Sequence, residues 1–197
     1  DAPKMTKCKN KPYTRITFKP DYARLGIPGL SPHMIALFRR RVFDVSALTG
    51  RGVRVKCDSV AVPVRTFGQY VDLYLEPNAK KVCDSPHERW EYAVALAPSH
   101  EFTQISFVNG IHTNKGGKHV DYIVGQITRK LVAYIEKKKK IIVKATTIKE
   151  QLMIFLRCDI VNPSFDSQTK DYMSTPMTKF GSSCTVSDQF IEKVAKM

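Results

Sequence analysis

The sequence predicts an α+β fold, a two-layer α/β sandwich in which helices cover one face of a mixed sheet. Two observations predict it. Segments with strand-like alternation and segments with helical periodicity are mixed along the chain, and such a mixture favours a sheet layer under a helix layer. The 197 residues, 43% of them hydrophobic, can bury one real core. No run of about 18 apolar residues occurs, so no transmembrane helix is expected.

The first part of the chain predicts one strand and one helix. Residues 1–12 are rich in Lys and Pro and are expected to be loose. Residues 13–18 alternate as a strand does, and Pro20 ends the pattern. Ser31 and Pro32 suit the N-cap and the first position of a helix. Apolar residues at helical spacing predict that one face of this helix is buried: Met34, Ile35, Phe38, Val42 and Val45.

The middle of the chain predicts mostly strands. A short strand at 53–57 has a hairpin partner at 60–64, and a short helix follows at 67–75. Residues 76–88 are polar and contain proline, which indicates a loop. Two clearer alternating segments predict further strands at 89–97 and 102–109.

The last part predicts the longest helix and the most apolar strand. Residues 119–136 carry apolar side chains at helical spacing: Val120, Ile123, Val124, Ile127, Leu131, Tyr134 and Ile135. One or two helical turns are expected at 146–152, and residues 152–161 read as a buried strand. A final helix is expected over 187–197, with Ser187 as its cap.

The charge balance favours an anionic partner. The net charge is +14, from 32 Lys and Arg against 18 Asp and Glu, and nucleic acid is the commonest partner of such a domain. The alternative is a basic domain without one. Lys137, Lys138, Lys139 and Lys140 follow the long helix. They are either a solvated helix end or cations that contact DNA phosphates, and the net charge favours DNA contact.

The cysteines and the first residue indicate the cellular environment of the chain and whether it is part of a longer protein. Five cysteines, at positions 8, 57, 83, 158 and 184, contain no C-x-x-C pair, so neither a zinc site nor a disulfide scaffold is expected. Reduced thiols in an intracellular protein are the simplest interpretation. Because the chain begins with Asp1 and no apolar signal segment follows, we expect a secretory signal to be absent or removed and the chain to be a piece of a longer one.

Two polar segments invite comparison with phosphate-binding loops. Gly116 and Gly117 lie between a predicted strand and a predicted helix, but neither G-x-G-x-x-G nor G-x-x-x-x-G-K-[ST] is present. We therefore expect these glycines to set a tight structural turn. In residues 162–171, Gln168 and Lys170 alternate, so in an extended loop both side chains would face one way, towards a phosphate. The alternative is an ordinary polar loop.

No catalytic or metal-binding set is readable. A metal site at His112 and His119 would need further carboxylate or thiol ligands, and Asp121 is the only acidic residue close to them in the sequence. We therefore interpret both histidines as loop and cap residues. No Ser-His-Asp, Cys-His or paired-carboxylate arrangement is evident. We therefore expect no catalytic residue and no metal ligand within these residues.

Several blocks resemble one family. "QISFVNGIHTNKGGKHVDYIVGQI" and "NPSFDSQTK" resemble the type IIA DNA topoisomerases of the eukaryotic branch, which read S-F-V-N-S-I-x-T-x-K-G-G-x-H-V-x-Y and later N-P-x-F-x-S-Q-T-K-E. "YTRITFKPD", "RRRVFDV", "YVDLYL" and "RWEYAV" resemble the same proteins in the same order. The resemblance departs at Gly110, His112 and Asp171, where the family has Ser, a small residue and Glu.

The resemblance implies the transducer domain of the family's ATPase gate, with the fold of the second domain of the small-subunit ribosomal protein five. Residues 13–186 would be this domain, 1–12 a lead-in from a GHKL-type (gyrase and histidine-kinase-like) ATPase domain, and 187–197 the start of the helix to the DNA-cleavage core. That ATPase domain would hold most of the ATP and Mg. Gln168, Thr169 and Lys170 would be the Q-T-K switch loop, with the lysine reaching the terminal phosphate, and Lys137–Lys140 would sense duplex DNA.

The family further implies a nuclear, homodimeric enzyme that couples ATP hydrolysis to passage of one DNA duplex through another, or alternatively a mitochondrial one. Two other functions remain open from the residues. A stand-alone basic module for nucleic acid would make the Q-T-K segment incidental. The transducer of a mismatch-repair ATPase has a related fold and a similarly placed lysine, but it is not expected to contain "KGGKHVDY".

Overall fold

The computed structural model describes residues 2–9 and 11–197. The chain divides into two compact units, with the boundary in the sequence between Leu37 and Phe38. Within the first unit the predicted strand at 13–18 is wrong, since these residues form no regular element. Tyr13, Ile16 and Phe18 are exposed. An alternating pattern forms a strand only where a partner strand and a core are available, and this segment has neither.

Five α-helices, one 3₁₀ turn (Met177–Lys179) and nine strands make up the regular structure of the described residues. The helices are α1 (Pro32–Leu48), α2 (Phe67–Asp72), α3 (Lys118–Lys139), α4 (Ala145–Glu150) and α5 (Asp188–Val194). The strands are β1 (Lys56–Cys57), β2 (Val60–Ala61), β3 (Lys81–His87), β4 (Trp90–Leu96), β5 (Thr103–Val108), β6 (Ile111–His112), β7 (Gly116–Gly117), β8 (Leu152–Cys158) and β9 (Tyr172–Met173).

The central sheet is mixed, as predicted. Its strand order is β3-β4-β8-β5-β6. Strand β8 pairs antiparallel with β4 and parallel with β5. The parallel pair requires a crossover, and α3 and α4 supply it between β5 and β8. The α+β class with a mixed sheet covered by helices is therefore confirmed.

Helices α3, α4 and α5 cover one face of this sheet. Trp90, Tyr92 and Ile154 of the sheet have at most 1% of their surface exposed. The predicted apolar stripe of α3 packs into the same core with Val120, Ile123, Val124, Ile127 and Leu131. Each fully buried side chain of this size contributes about 1.5–3 kcal/mol through removal from water. The long helix is thus held chiefly by its packing on the sheet.

A second, smaller core lies on the opposite face, although helices were expected on one face. Phe107 and Phe155 from the sheet cluster there with Phe67 and Tyr70 of α2 and with Ala47 of α1. Successive side chains of a strand point to opposite faces, and β8 is buried on both. Its almost continuous apolar run therefore supplies both cores.

The buried side of α1 differs from the predicted one. Three of the five apolar side chains that were predicted to be buried are exposed: Ile35, Phe38 and Val45. Asp44, Ser46 and Ala47 are buried instead. The Ser46 hydroxyl donates a 2.6 Å hydrogen bond to the carbonyl oxygen of Val64, which offsets the cost of burying it. Hydrophobic periodicity cannot detect polar side chains whose partners lie elsewhere in the chain.

The loop predicted over 76–88 is also wrong, because most of it is strand β3. This strand pairs with β4 along one edge only, and its register shifts between Asp84 and His87, next to Pro86. An edge strand has one exposed side and tolerates polar residues, and proline is accommodated at such irregularities. Pairing with the buried strand β4 therefore outweighs the polar composition.

The remaining predicted elements are confirmed, with ends shifted by a few residues: the hairpin β1–β2, helix α2, strands β4, β5 and β8, and helices α1, α3, α4 and α5. Ser187 caps α5 as expected, since its hydroxyl accepts a 3.1 Å hydrogen bond from the amide of Phe190. No helix among the described residues is both long and apolar enough to cross a membrane.

Candidate functional site

The Q-T-K segment lies in a short hairpin formed by residues 164–174, called the Q-T-K hairpin below. The amide of Ser174 donates to the carbonyl of Ser164 at 2.9 Å, and the amide of Asp166 donates to the carbonyl of Tyr172 at 3.2 Å. Phe165 and Met173 face each other in an antiparallel bridge. These bonds close the two arms and leave residues 167–171 at the tip.

The tip is a turn and not the extended loop that the sequence suggested. The amide of Lys170 donates to the carbonyl of Ser167 at 3.1 Å, so Gln168 and Thr169 are the central residues of the turn. The Thr169 hydroxyl lies 2.9 Å from that of Ser167 and donates to a carboxylate oxygen of Asp171 at 2.8 Å. The rule that side chains two residues apart face the same way holds for an extended strand, so it does not apply to Gln168 and Lys170 in this turn.

Lys170 has an unusual backbone conformation at the end of this turn. Its φ is +60°, in the left-handed region that non-glycine residues seldom adopt. Its ammonium nitrogen lies 5.7 Å from the centre of the Phe165 ring, which is within the range of a cation–π contact. Gln168 and Thr169 are exposed, and Lys170 is half-buried. The tip of the hairpin thus carries the amide of Gln168, the hydroxyl of Thr169 and the ammonium group of Lys170, which contacts the Phe165 ring.

The two glycines contact the arm of this hairpin that follows Lys170. Gly116 and Gly117 form β7, which pairs parallel with Tyr172 and Met173 of β9. Just before this pair, the amide of Lys115 donates to the carbonyl of Asp171 at 2.8 Å. The glycines therefore hold the hairpin, in addition to connecting β6 to α3.

A buried polar cluster anchors the turn before these glycines. The hydroxyls of Ser106 and Thr113 lie 2.5 Å apart, and Nε2 of His119 lies 3.1 Å from the Thr113 hydroxyl. The Gln104 side-chain amide donates to the carbonyl of Asn114 at 3.0 Å. Burial lowers the pKa of His119 to about 3, so the imidazole is neutral at ordinary pH. The expectation that His119 is a cap residue is wrong, because Gly117 is the N-cap of α3 and His119 is a buried residue of its first turn.

A cavity of about 280 Å³ lies beside the hairpin tip, lined by Arg41, Asp44, Val45, Gly110, Ile111, His112 and Thr169. Burial, and then the charges of Arg41 and Arg40, lower the pKa of His112 to about 4. Its Nδ1 atom is buried without a hydrogen-bond partner among the described residues. His112 lies in strand β6 rather than in the expected loop.

The lysine run, Lys137–Lys140, occupies the far end of α3. Lys137, Lys138 and Lys139 form the last helical turn, and Lys140 is the C-cap with φ of +58°. The amide of Lys140 donates to the carbonyl of Glu136 at 3.0 Å. All four side chains are exposed. The helix is about 33 Å long at 1.5 Å per residue, so its two ends join the Q-T-K hairpin to a distant cationic surface.

The pairing of the two glycines with the Q-T-K hairpin was not predicted from the sequence. Strands β7 and β9 have two residues each, which is too short for the alternation of apolar and polar residues that identifies a strand. Their pairing also joins parts of the chain that are distant in sequence. The available signal was the glycine pair itself, since adjacent glycines indicate a close approach of two backbones as well as a turn. Among the described residues no group of acidic, His or Cys side chains is arranged to hold a metal ion.

Comparison with known proteins identifies relatives across almost the whole chain. The family model for DNA gyrase B matches residues 66–197. DNA topoisomerase 2 of Arabidopsis thaliana is 41% identical over 204 residues, covering 98% of this chain and 14% of that protein. DNA topoisomerase 2 of Saccharomyces cerevisiae is 39% identical over 213 residues, covering 98% of this chain and 15% of that protein.

Solved structures show the same fold. The ATPase region of Saccharomyces cerevisiae topoisomerase II matches with a TM-score of 0.83 and 37% identity, over 91% of this chain and 46% of that one. The ATPase and transducer domains of DNA topoisomerase II from Balamuthia mandrillaris match with a TM-score of 0.81 and 38% identity, over 90% and 45%. The chain thus spans less than half of each solved structure and about one seventh of the curated relatives.

Proposed function

Because this chain belongs to the eukaryotic-type type II DNA topoisomerases, we propose that it is the transducer domain of the ATPase region in such an enzyme. Residues 13–186 would form the domain, 1–12 would lead in from a GHKL-type ATPase domain, and 187–197 would begin the helix to the DNA-cleavage core. The similarity to a solved pair of ATPase and transducer domains supports this division.

The whole enzyme would be an isomerase that relaxes, untangles and decatenates duplex DNA with ATP. It would work as a nuclear homodimer, and its neighbouring ATPase domain would hold most of the ATP and Mg. Relatives named DNA topoisomerase 2 support this activity. The net charge of +14 is consistent with a DNA partner.

The switch role of Gln168, Thr169 and Lys170 rests chiefly on one observation. They form the tip of a hairpin whose arms are closed by main-chain hydrogen bonds, and in this tip Gln168 and Thr169 are exposed and Lys170 is half-buried. A lysine ammonium on such a tip is a suitable point charge for the terminal phosphate of ATP in the neighbouring domain. Hydrolysis and loss of that phosphate would remove the contact.

The contact of Lys170 would bias the domain between two positions. A ligand shifts a conformational equilibrium only through contacts that differ between the two states, and the lysine–phosphate contact exists only while the phosphate is present. Rotation of the domain as a rigid body would then couple nucleotide state to the gate through which DNA passes.

Substitution of Lys170 by Ala in the full-length enzyme tests this role. We expect ATP turnover to fall at least about tenfold, since a cation that stabilises a reacting phosphate is lost, while DNA affinity changes little. Lys179→Ala is a matched control, because Lys179 is an exposed lysine in the 3₁₀ turn, nine residues further along the chain. Unchanged ATP turnover in the Lys170→Ala enzyme would refute the switch role.

The chain by itself is expected neither to hydrolyse ATP nor to bind it tightly. Among its described residues no metal-holding cluster is found, and the ATP site would lie mainly in the neighbouring domain. Incubation of the purified chain with ATP and Mg, followed by phosphate release, checks this expectation. Clear turnover would contradict the proposal that the chain is a transducer.

A stand-alone nucleic-acid module is the weaker alternative. The similarity to DNA topoisomerase 2 extends over 98% of this chain, and the residues matched by the DNA gyrase B family model, 66–197, contain the Q-T-K segment; such a module would require neither match. The reading frame upstream of Asp1 discriminates between the two functions. A GHKL-type domain encoded there supports the transducer, and a different domain supports the module.

A further inference from the structure

The backbone of Gly117 lies unusually close to that of Met173. A Cβ atom added to Gly117 would lie 2.6 Å from the amide nitrogen and 2.9 Å from the Cα of Met173, and closer still to its carbonyl oxygen. Real Cβ atoms do not approach main-chain atoms so closely. Since the obstacle is backbone, rotation of a side chain cannot relieve it. Gly117 also has φ of +142°, which residues with side chains rarely adopt.

This close approach joins two rigid elements. On one side, Gly117 is the N-cap residue of α3, and the buried cluster of Ser106, Thr113 and His119 fixes the preceding turn. On the other side, Met173 is fully buried and belongs to the hairpin arm that follows Lys170. The amide of Lys115 continues the contact to the carbonyl of Asp171, the residue after Lys170.

We propose that the pairing of Gly116–Gly117 with Tyr172–Met173, here called the glycine bridge, is the positioning element of the Q-T-K hairpin. It sets where Lys170 lies relative to α3, and through α3 it ties the hairpin to the lysine run. This inference rests on the proposed switch role of Lys170. In this role the glycines act through the main chain that carries Lys170.

The test is a double-mutant cycle in the full-length enzyme. Gly117→Ala should displace the arm that follows Lys170, and a displacement of about 1 Å can lower turnover up to about 100-fold. If Gly117 acts by positioning Lys170, then in the Lys170→Ala background the same substitution should change ATP turnover less than about twofold. A purely structural role would lower turnover by the same factor in both backgrounds.

Gly125→Ala is the matched control. Gly125 lies within α3, and an added Cβ atom there meets nothing within 4 Å. We expect ATP turnover of the Gly125→Ala enzyme to equal that of the parent.

Gly116→Ala is a milder second variant if Gly117→Ala fails to fold. Gly116 has φ of +75°, but its added Cβ would lie 3.6 Å from the Gln104 side chain, an ordinary contact distance. The Gly116→Ala enzyme should lose less ATP turnover than the Gly117→Ala enzyme, and this loss should likewise be present only when Lys170 is present.

The outcomes separate this inference from the proposed function. If Lys170→Ala leaves ATP turnover unchanged, the switch role fails and the bridge has nothing to position. If Lys170→Ala lowers turnover but Gly117→Ala behaves like Gly125→Ala, the switch role stands and the glycine bridge is refuted as a positioning element. Equal fold losses from Gly117→Ala, or from Gly116→Ala, with and without Lys170 also refute it.

Discussion

The hydroxyl of Tyr70 donates a 2.6 Å hydrogen bond to one carboxylate oxygen of Asp44, and Arg41 donates to the other oxygen at 2.8 Å. Asp44 is only 3% exposed, so its charge would be costly without these two partners. The Tyr70–Asp44 bond joins α2 to the C-terminal half of α1. It therefore holds the helices that cover the second face of the sheet.

Tyr70→Phe should destabilise the chain through this bond. The substitution keeps the ring but leaves Asp44 with one fewer partner, and a hydrogen bond to a charged group contributes about 1.5–3 kcal/mol. The free energy of unfolding, measured by urea denaturation, should fall by that amount. Tyr13→Phe is the control, because Tyr13 is 72% exposed. Equal stabilities of the two variants would show that the bond contributes little.

A second prediction concerns acid stability and His119. Its pKa is lowered to about 3 in the folded chain by burial, against an unfolded value of about 6.5. Between these values the unfolded chain binds the proton and the folded chain does not, so stability falls as pH falls. The loss is about 1.4 kcal/mol per pH unit below 6.5. Urea denaturation between pH 7 and pH 5 measures it.

His119→Gln should flatten this dependence on pH, because Gln does not titrate. The free energy of unfolding of the variant should change less between pH 7 and pH 5 than that of the parent. His33→Gln, at an exposed position on α1, is the control for the loss of a histidine side chain. A parental pH slope in the His119→Gln chain would show that His119 does not cause the acid loss.

The elements predicted well from sequence are those whose signal is local. Helix α3 and strand β4 each bury a periodic stripe, so Ile127 and Tyr92 could be placed in the core from spacing alone. Strand β3 was missed because only its pairing with β4 makes it a strand. For the candidate site, Gln168 and Lys170 could be singled out from their spacing, whereas the switch-loop role came from the family resemblance and the turn conformation of the tip came only from the structure.

A third prediction contrasts two glycines. An Ala at Gly125 fits a helix and meets nothing within 4 Å, so Gly125→Ala should stabilise the chain by about 0.5–1 kcal/mol. Gly181 has φ of +76°, and an added Cβ atom would lie 2.9 Å from the Cβ of Val161. Gly181→Ala should therefore destabilise by at least about 1 kcal/mol. Thermal denaturation of both variants checks the opposite signs.

The lysine run differs from Lys130, another lysine of α3, in its surroundings. Lys130 pairs with Asp188 at 2.6 Å, whereas none of the ion pairs found among the described residues includes Lys137–Lys140. Among the described residues these four adjacent exposed cations have no carboxylate partner, so they are available to an external anion. In the function proposed above, that anion would be a DNA backbone at the end of α3.

Substitution of all four residues of the lysine run by Ala in the full-length enzyme should weaken DNA binding and flatten its dependence on salt. Each lost phosphate contact lowers the slope of log affinity against log salt by about 0.9, so four contacts predict a decrease of up to about 3.6. Ala at Lys4, Lys7, Lys9 and Lys11 removes the same charge from exposed positions elsewhere. This control separates location from net charge: an equal decrease in both enzymes would show that the helix end is not a specific contact.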